Sequence, residues 1–112
     1  MSIIITPPNK EIKTFRSLPA SKSLSNRALI ISALCKERFK IRNLSESDDT
    51  RVLTSALKHL SSKVTDIGAA GTAMRFLTAL YSQMPGEKIL TGSQRMKQRP
   101  IHELVNILRE LG

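Results

Sequence analysis

KVTDIGAAGTAMRFL, Lys63–Leu77, decides how the chain is read. Lys63–Ile67 is short and carries β-branched residues, which suits a strand. Gly68–Gly71 (GAAG) makes a tight turn, and a helix follows over Thr72–Gln83, ended near Pro85-Gly86. A strand, a glycine turn and a helix start in succession are a phosphate-holding arrangement, because glycine lets backbone N–H groups come close to an anion. The stretch is not a P-loop, since no Lys-Ser or Lys-Thr follows the second glycine. It is not a dinucleotide fingerprint either, since the glycine spacing is wrong and no acidic residue is placed for a ribose. Gly71 and Arg75 lie four positions apart, one helical turn. The plain alternative is a turn glycine and a surface arginine.

Working outward, helices and strands alternate. Ser2–Thr6 (SIIIT) reads as a short strand closed by Pro7-Pro8, and Lys10–Ser17 (KEIKTFRS) as an edge strand. After Pro19, Ser21 or Ser23 can cap a helix that runs to about Cys35. Its apolar face is Leu24, Ala28, Ile31 and Leu34. Phe39–Leu44 (FKIRNL) alternates as a strand does. Ser47-Asp48-Asp49 opens a helix whose face is Val52, Leu53, Ala56, Leu57 and Leu60. The acidic pair suits the positive end of that helix better than it suits catalysis. Glu87–Thr91 (EKILT) is a strand, and Gly92–Arg99 (GSQRMKQR) a polar loop. Pro100 heads a last helix with Ile101, Leu104, Val105 and Leu108 on one face. The order ββαβαβαβα predicts an α/β layer structure. Leu108–Gly112 (LRELG) finishes a helix on glycine with no strand after it, which reads as a truncation.

The 112 residues carry 18 Lys and Arg against 9 Asp and Glu, a formal charge of +9. That surplus calls for an anionic partner. Three helix beginnings hold the cations. In LPASKSLSNRALI, Leu18–Ile30, Ser23 and Arg27 are four apart and share a face, beside free backbone N–H groups. Lys22 points about 100° away from Ser23. The second beginning is Gly71–Arg75, and the third is the loop Arg95–Arg99 before Pro100. A capped helix with solvated cations is the alternative at each. Two cations about 6 Å apart repel by roughly 3 kcal/mol at an effective dielectric of ~20. If they converge, a multiply charged anion reverses the sign.

Other chemistry is thin. Three Phe, one Tyr and no Trp leave an aliphatic core. His59 and His102 are isolated, so no metal is expected. Cys35, the single cysteine, is expected to be buried and inert, which suits a reducing compartment. No signal peptide or membrane-length apolar run is visible, so the reading is cytoplasmic with no membrane contact.

Four segments together, LPASKSLSNRALI, LSESDDTRVL, GAAGTAMRFLTAL and LTGSQRMKQRPIHELVNILRELG, resemble the N-terminal quarter to third of the EPSP synthase (3-phosphoshikimate 1-carboxyvinyltransferase) family. The resemblance implies a two-domain fold of repeated βαβαββ units, present here as one incomplete domain. Residues 1–18 would lie near the hinge and 19–112 in the N-terminal domain. It implies enolpyruvyl transfer from phosphoenolpyruvate to shikimate 3-phosphate on the route to chorismate. No metal or organic cofactor is implied, and the complete enzyme would be a monomer. Carried over, Lys22 would contact both substrates and help move the proton. Ser23 and Arg27 would hold shikimate 3-phosphate. Gly71, Thr72 and Arg99 would take phosphoenolpyruvate, with Arg75 in electrostatic support. Glyphosate would occupy the phosphoenolpyruvate site.

The chain departs from the family at Ala20, Ala69 and Phe76, where Gly, Asn and Pro are common. The segment between Leu60 and Asp66 is short, as if a strand pair were trimmed. Acidic and basic residues that the family draws from its second domain are absent, so these residues alone are not expected to catalyse the reaction. Two rivals remain: a basic nucleic-acid-binding module, which would explain the charge but lacks aromatic platforms and a groove-reading helix, and an anion-binding protein without catalysis.

Overall fold

The computed structural model describes residues 2–7, 9, 11, 13, 17–37 and 39–112. Its elements are α1 (Lys22–Leu34), α2 (Asp48–Lys58), β1 (Val64–Asp66), α3 (Gly71–Ser82), β2 (Ile89–Thr91), α4 (Gln94–Lys97) and α5 (His102–Glu110). The two strands pair in parallel, Val64 opposite Ile89 and Asp66 opposite Thr91. Helix α3 is the crossover between them, as a parallel pair requires. This is a mixed helix and parallel-sheet arrangement, compatible with the α/β expectation.

The core lies under α3. Leu53, Ala73 and Leu77 are fully buried, and Ile67, Ala56, Met74, Leu80 and Met96 nearly so. Half-buried Leu90 and Ile101 pack against them. Helix α5 leans its Ile101, Leu104, Val105 and Leu108 face inward but buries no residue completely.

Several expectations fail. Residues 2–6 form no strand and are exposed. Of the predicted edge strand, Lys10, Ile12, Thr14, Phe15 and Arg16 lie outside the described residues. Phe39–Leu44 is not a strand. Asn43 takes a left-handed backbone with φ +56°, which interrupts any ladder. The Ser45 N–H beyond it donates to Ser25 Oγ of α1 at 2.9 Å, while Ile41 and Leu44 pack against the core. The segment is a strap rather than a strand. The polar loop after β2 contains α4, capped by Ser93, whose Oγ accepts from Met96 N–H at 3.2 Å.

The largest correction concerns α1. Its expected core face points out: Leu24 is 70% exposed, Ile31 55% and Leu34 56%. Ser25, Asn26 and Leu29 are buried instead. Asn26 Oδ1 accepts from Thr50 Oγ1 of α2 at 2.7 Å, and Ser25 holds the strap. Those two bonds hold the roll of the helix against its apolar spacing, even though the buried Asn26 Nδ2 has no partner among the described residues. Cys35, at the C-terminal end of the same helix, is exposed, against the expectation of burial.

Candidate functional site

Two parallel strands that stop together leave their carboxyl ends side by side. In sheets of this kind, that is where ligands collect. Ile67 N–H donates to Thr91 O at 2.8 Å and Ser93 N–H to Gly68 O at 2.9 Å, so the loops after β1 and β2 are tied to one another. Gly68 has φ +53°, which suits glycine at the turn. Gly92 must also lack a side chain, because a Cβ there would lie 2.6 Å from Gly68 O. The knot delivers α3 and α4 to the same end of the sheet.

At the start of α3, the space a Cβ on Gly71 would need is filled by the Arg99 guanidinium. The resemblance placed Gly71 and Arg99 in one site across 28 positions, and the structure puts them side by side. The next two donors of α3 are occupied. Thr72 N–H and Ala73 N–H both donate to Asp49 Oδ1, at 2.9 and 3.2 Å. The other oxygen of that carboxylate, Oδ2, accepts from Lys22 Nζ at 3.1 Å. Lys22 thus reaches Thr72 through Asp49. Gly71 N–H has no hydrogen-bond partner among the described residues, and Gly71 itself is buried, with the Arg99 guanidinium against the side-chain side of its α-carbon.

At α1, Ser21 is the cap, its Oγ accepting from Leu24 N–H at 3.3 Å. Arg27 donates to both Ser23 Oγ and Ser23 O, the latter at 3.1 Å, so the offset of four brings these side chains together as expected. Both are exposed. Arg75 is exposed one turn into α3 and makes no ion pair among the described residues. The geometry therefore links Lys22, Thr72, Gly71 and Arg99 into one chain of contacts, with Ser23 and Arg27 paired nearby on α1. It gives Arg75 no direct place in that chain.

Asp49 is the residue sequence reading missed. Burial pushes its carboxyl up. The Lys22 ammonium and the Ala73 and Thr72 N–H groups outweigh this, and the group titrates below its usual value of 3.8. A carboxylate held below its unfolded value adds stability that is full above that value and fades as pH falls through the folded one. The expected outcome is a stability loss on acidification below about pH 4 that is absent from Asp49→Asn, read as urea midpoints of the two proteins at each pH. A repeat at high salt would weaken the Lys22 part alone, because Lys22 is half exposed at 49%.

The family model described as EPSP synthase (3-phosphoshikimate 1-carboxyvinyltransferase) matches residues 7–67 and 61–112. The chain belongs to the EPSP synthase family. A 3-phosphoshikimate 1-carboxyvinyltransferase of Bacteroides fragilis (strain YCH46) is 55% identical over 112 residues, covering 100% of this chain and 27% of its own length. The protein of the same name from Sulfurovum sp. (strain NBC37-1) is 42% identical over 137 residues, covering 100% and 32%. That of Bordetella avium (strain 197N) is 40% identical over 128 residues, covering 95% and 29%. The chain therefore spans about a quarter to a third of the relatives it matches. No solved structure matches it.

The lengths of these alignments bear on the short segment after Leu60. The Sulfurovum alignment is longer than the chain itself, so that relative has residues without a counterpart here. The two family matches meet at residues 61–67, where the trimmed strand pair was expected. The Bacteroides alignment needs no such extra length.

Proposed function

We propose that this chain is the substrate-holding start of a 3-phosphoshikimate 1-carboxyvinyltransferase, the activity named for its relatives. The complete enzyme joins shikimate 3-phosphate to phosphoenolpyruvate and releases phosphate. Residues 1–18 belong near the hinge, and 19–112 form part of an N-terminal domain built from βαβαββ units. The enzyme is cytoplasmic and monomeric, and binds neither nucleic acid nor membrane. Among the described residues no helix is long and apolar enough to cross a membrane.

One observation carries the reading: a guanidinium fills the side-chain space of a helix-start glycine whose N–H has no partner among the described residues, and an ammonium is tethered through Asp49 to the N–H of the next residue. Arg99 and Gly71 N–H then receive an anionic group of phosphoenolpyruvate, and Thr72 lines the same place. Lys22 stands between the two substrates, while Ser23 and Arg27 take the phosphate of shikimate 3-phosphate. Arg75 adds positive potential only. The substrate hydroxyl adds to the enol carbon as the methylene gains a proton. The adduct then loses that proton equivalent and phosphate, restoring the double bond. Preorganised donors lower the barrier because the charge they meet is gathered in one place.

The test is phosphate release by the complete polypeptide given both substrates, set beside calorimetry of the 112 residues with shikimate 3-phosphate and with a mixed DNA oligomer. Release, with a response to the metabolite, supports the reading. Salt-sensitive DNA binding without release would replace it with the nucleic-acid alternative.

Gly71→Ala offers a sharper check. The new methyl meets only the far end of a flexible arginine. Stability should change by less than about 1 kcal/mol, with alanine the better helix former. The guanidinium must give way to the methyl, so KM for phosphoenolpyruvate should rise roughly tenfold, the worth of about 1.4 kcal/mol. Steady-state kinetics and a thermal melt check both halves.

A further inference from the structure

Asp49 sits at the crossing of three helices. It stands on the first turn of α2, grips two N–H groups of α3 with one oxygen, and grips Lys22 of α1 with the other. Its side chain is 17% exposed while that of Lys22 is 49% exposed. The more covered partner is thus the fixed one, and the more exposed partner is the one a ligand can reach. Asp48 and Arg51 of α2 line the depression beside it, together with Gly68, Ala69 and Ala70 of the turn before α3.

An acid at the second turn position of a helix ordinarily serves its own helix dipole. Here the carboxylate is spent on another helix and on a lysine 27 positions away. Without it, Lys22 would swing on four flexible bonds, and the first donors of α3 would be free to take a solvent anion in the wrong place. With it, of the N–H groups on Gly71, Thr72 and Ala73 only that of Gly71 stays open to an incoming anion, and Arg99 stands beside that residue.

We propose, resting on the transferase reading, that Asp49 is a positioning residue that fixes the Lys22 ammonium at the mouth of α3 by holding both at once. It touches no reacting atom. It sets where the ammonium stands when phosphoenolpyruvate arrives, and it directs that anion to Gly71 and Arg99 by occupying Thr72 and Ala73.

Asp49→Asn separates the two grips. The amide oxygen can still accept from α3, but the ionic hold on Lys22 is gone. In the complete polypeptide, kcat should fall roughly ten- to a hundredfold, the scale of a misplacement of about 1 Å, while unfolding stays cooperative and the melt drops only by the ionic stabilisation the carboxylate supplied. A double-mutant cycle supplies the readout that a merely structural role would not move. On a Lys22→Met background, Asp49→Asn should cost little further activity, because its partner has already been removed. Independent, additive losses overturn the proposal.

A readout without activity keeps this test apart from that of the transferase reading. In NMR titrations of the 112-residue chain, the Asp49 carboxyl should titrate higher in Lys22→Met than in the parent. An unmoved Asp49 overturns the proposal, even if the parent polypeptide is an active transferase. Absence of phosphate release from the parent, with Asp49 moving as stated, rejects the transferase reading and leaves the tether standing.

Discussion

Lys22→Met in the complete polypeptide is expected to lower kcat/KM for phosphoenolpyruvate by roughly 10²–10³-fold, the range seen when one preorganised donor is lost at a developing charge. Methionine keeps most of the length and apolar body of lysine. The side chain is half exposed, so little packing is lost. What disappears is the one ammonium tied to α3 by a carboxylate among the described residues. Orphaning Asp49 is the secondary cost. Two hydrogen bonds to α3 remain, so the carboxylate stays satisfied and the fold should survive. The measurement is initial rate against each substrate separately. A change confined to shikimate 3-phosphate would move Lys22 to the other half of the site. No change would remove it from the chemistry.

Leu77→Ala has the largest expected effect on stability. Leu77 has no exposure and lies in the middle of the core cluster on α3, with Leu53 of α2 equally buried. Removing a wholly buried leucine costs about 2–5 kcal/mol through lost transfer energy and the cavity left behind. A domain of this size has only about 5–15 kcal/mol to lose. At a urea dependence of about 1.5 kcal/mol per molar, the midpoint should fall by roughly 1.3–3.3 M. Leu24→Ala on α1 is the control. That side chain is 70% exposed, so its midpoint should barely move. Equal losses at the two sites would mean that α1 is rolled the other way in solution.

Those two leucines also mark how far sequence could go. Helices α2 and α3 were legible because apolar spacing and burial agree there, and Ser47 caps α2 as a serine before acids should. The strand–turn–helix at Val64–Ser82 followed from its glycines and β-branched run. Helix α1 was placed correctly along the chain but turned to the wrong face. Periodicity reports that one side is apolar, not what is available to cover it. The bonds from Ser25 to Ser45 and from Thr50 to Asn26 join residues 20 and 24 positions apart, and no local pattern announces them. Phe39–Leu44 alternates like a strand, yet no neighbouring strand pairs with it among the described residues, so the alternation has nothing to act on.

The site divides in the same way. Gly71 and Arg99 were singled out as a turn glycine and a loop cation, and the resemblance put them together. Ser23 and Arg27 were joined by simple helical geometry. Asp49 was read as an ordinary acid at a helix start, because its partners lie on two other helices. A signal was available: two acids follow the Ser47 cap, and one is enough for a dipole.

The outward roll of α1 carries a thermodynamic consequence. Burying side chains such as Leu24, Ile31 and Leu34 is worth about 1.5–3 kcal/mol each, and in this chain that gain is largely uncollected. Summed, it rivals the entire margin by which a small domain stays folded. Whatever surface comes to lie on that stripe therefore shifts the folding equilibrium as strongly as a good ligand would. The melting temperature of these 112 residues is then a property of their company as much as of their sequence.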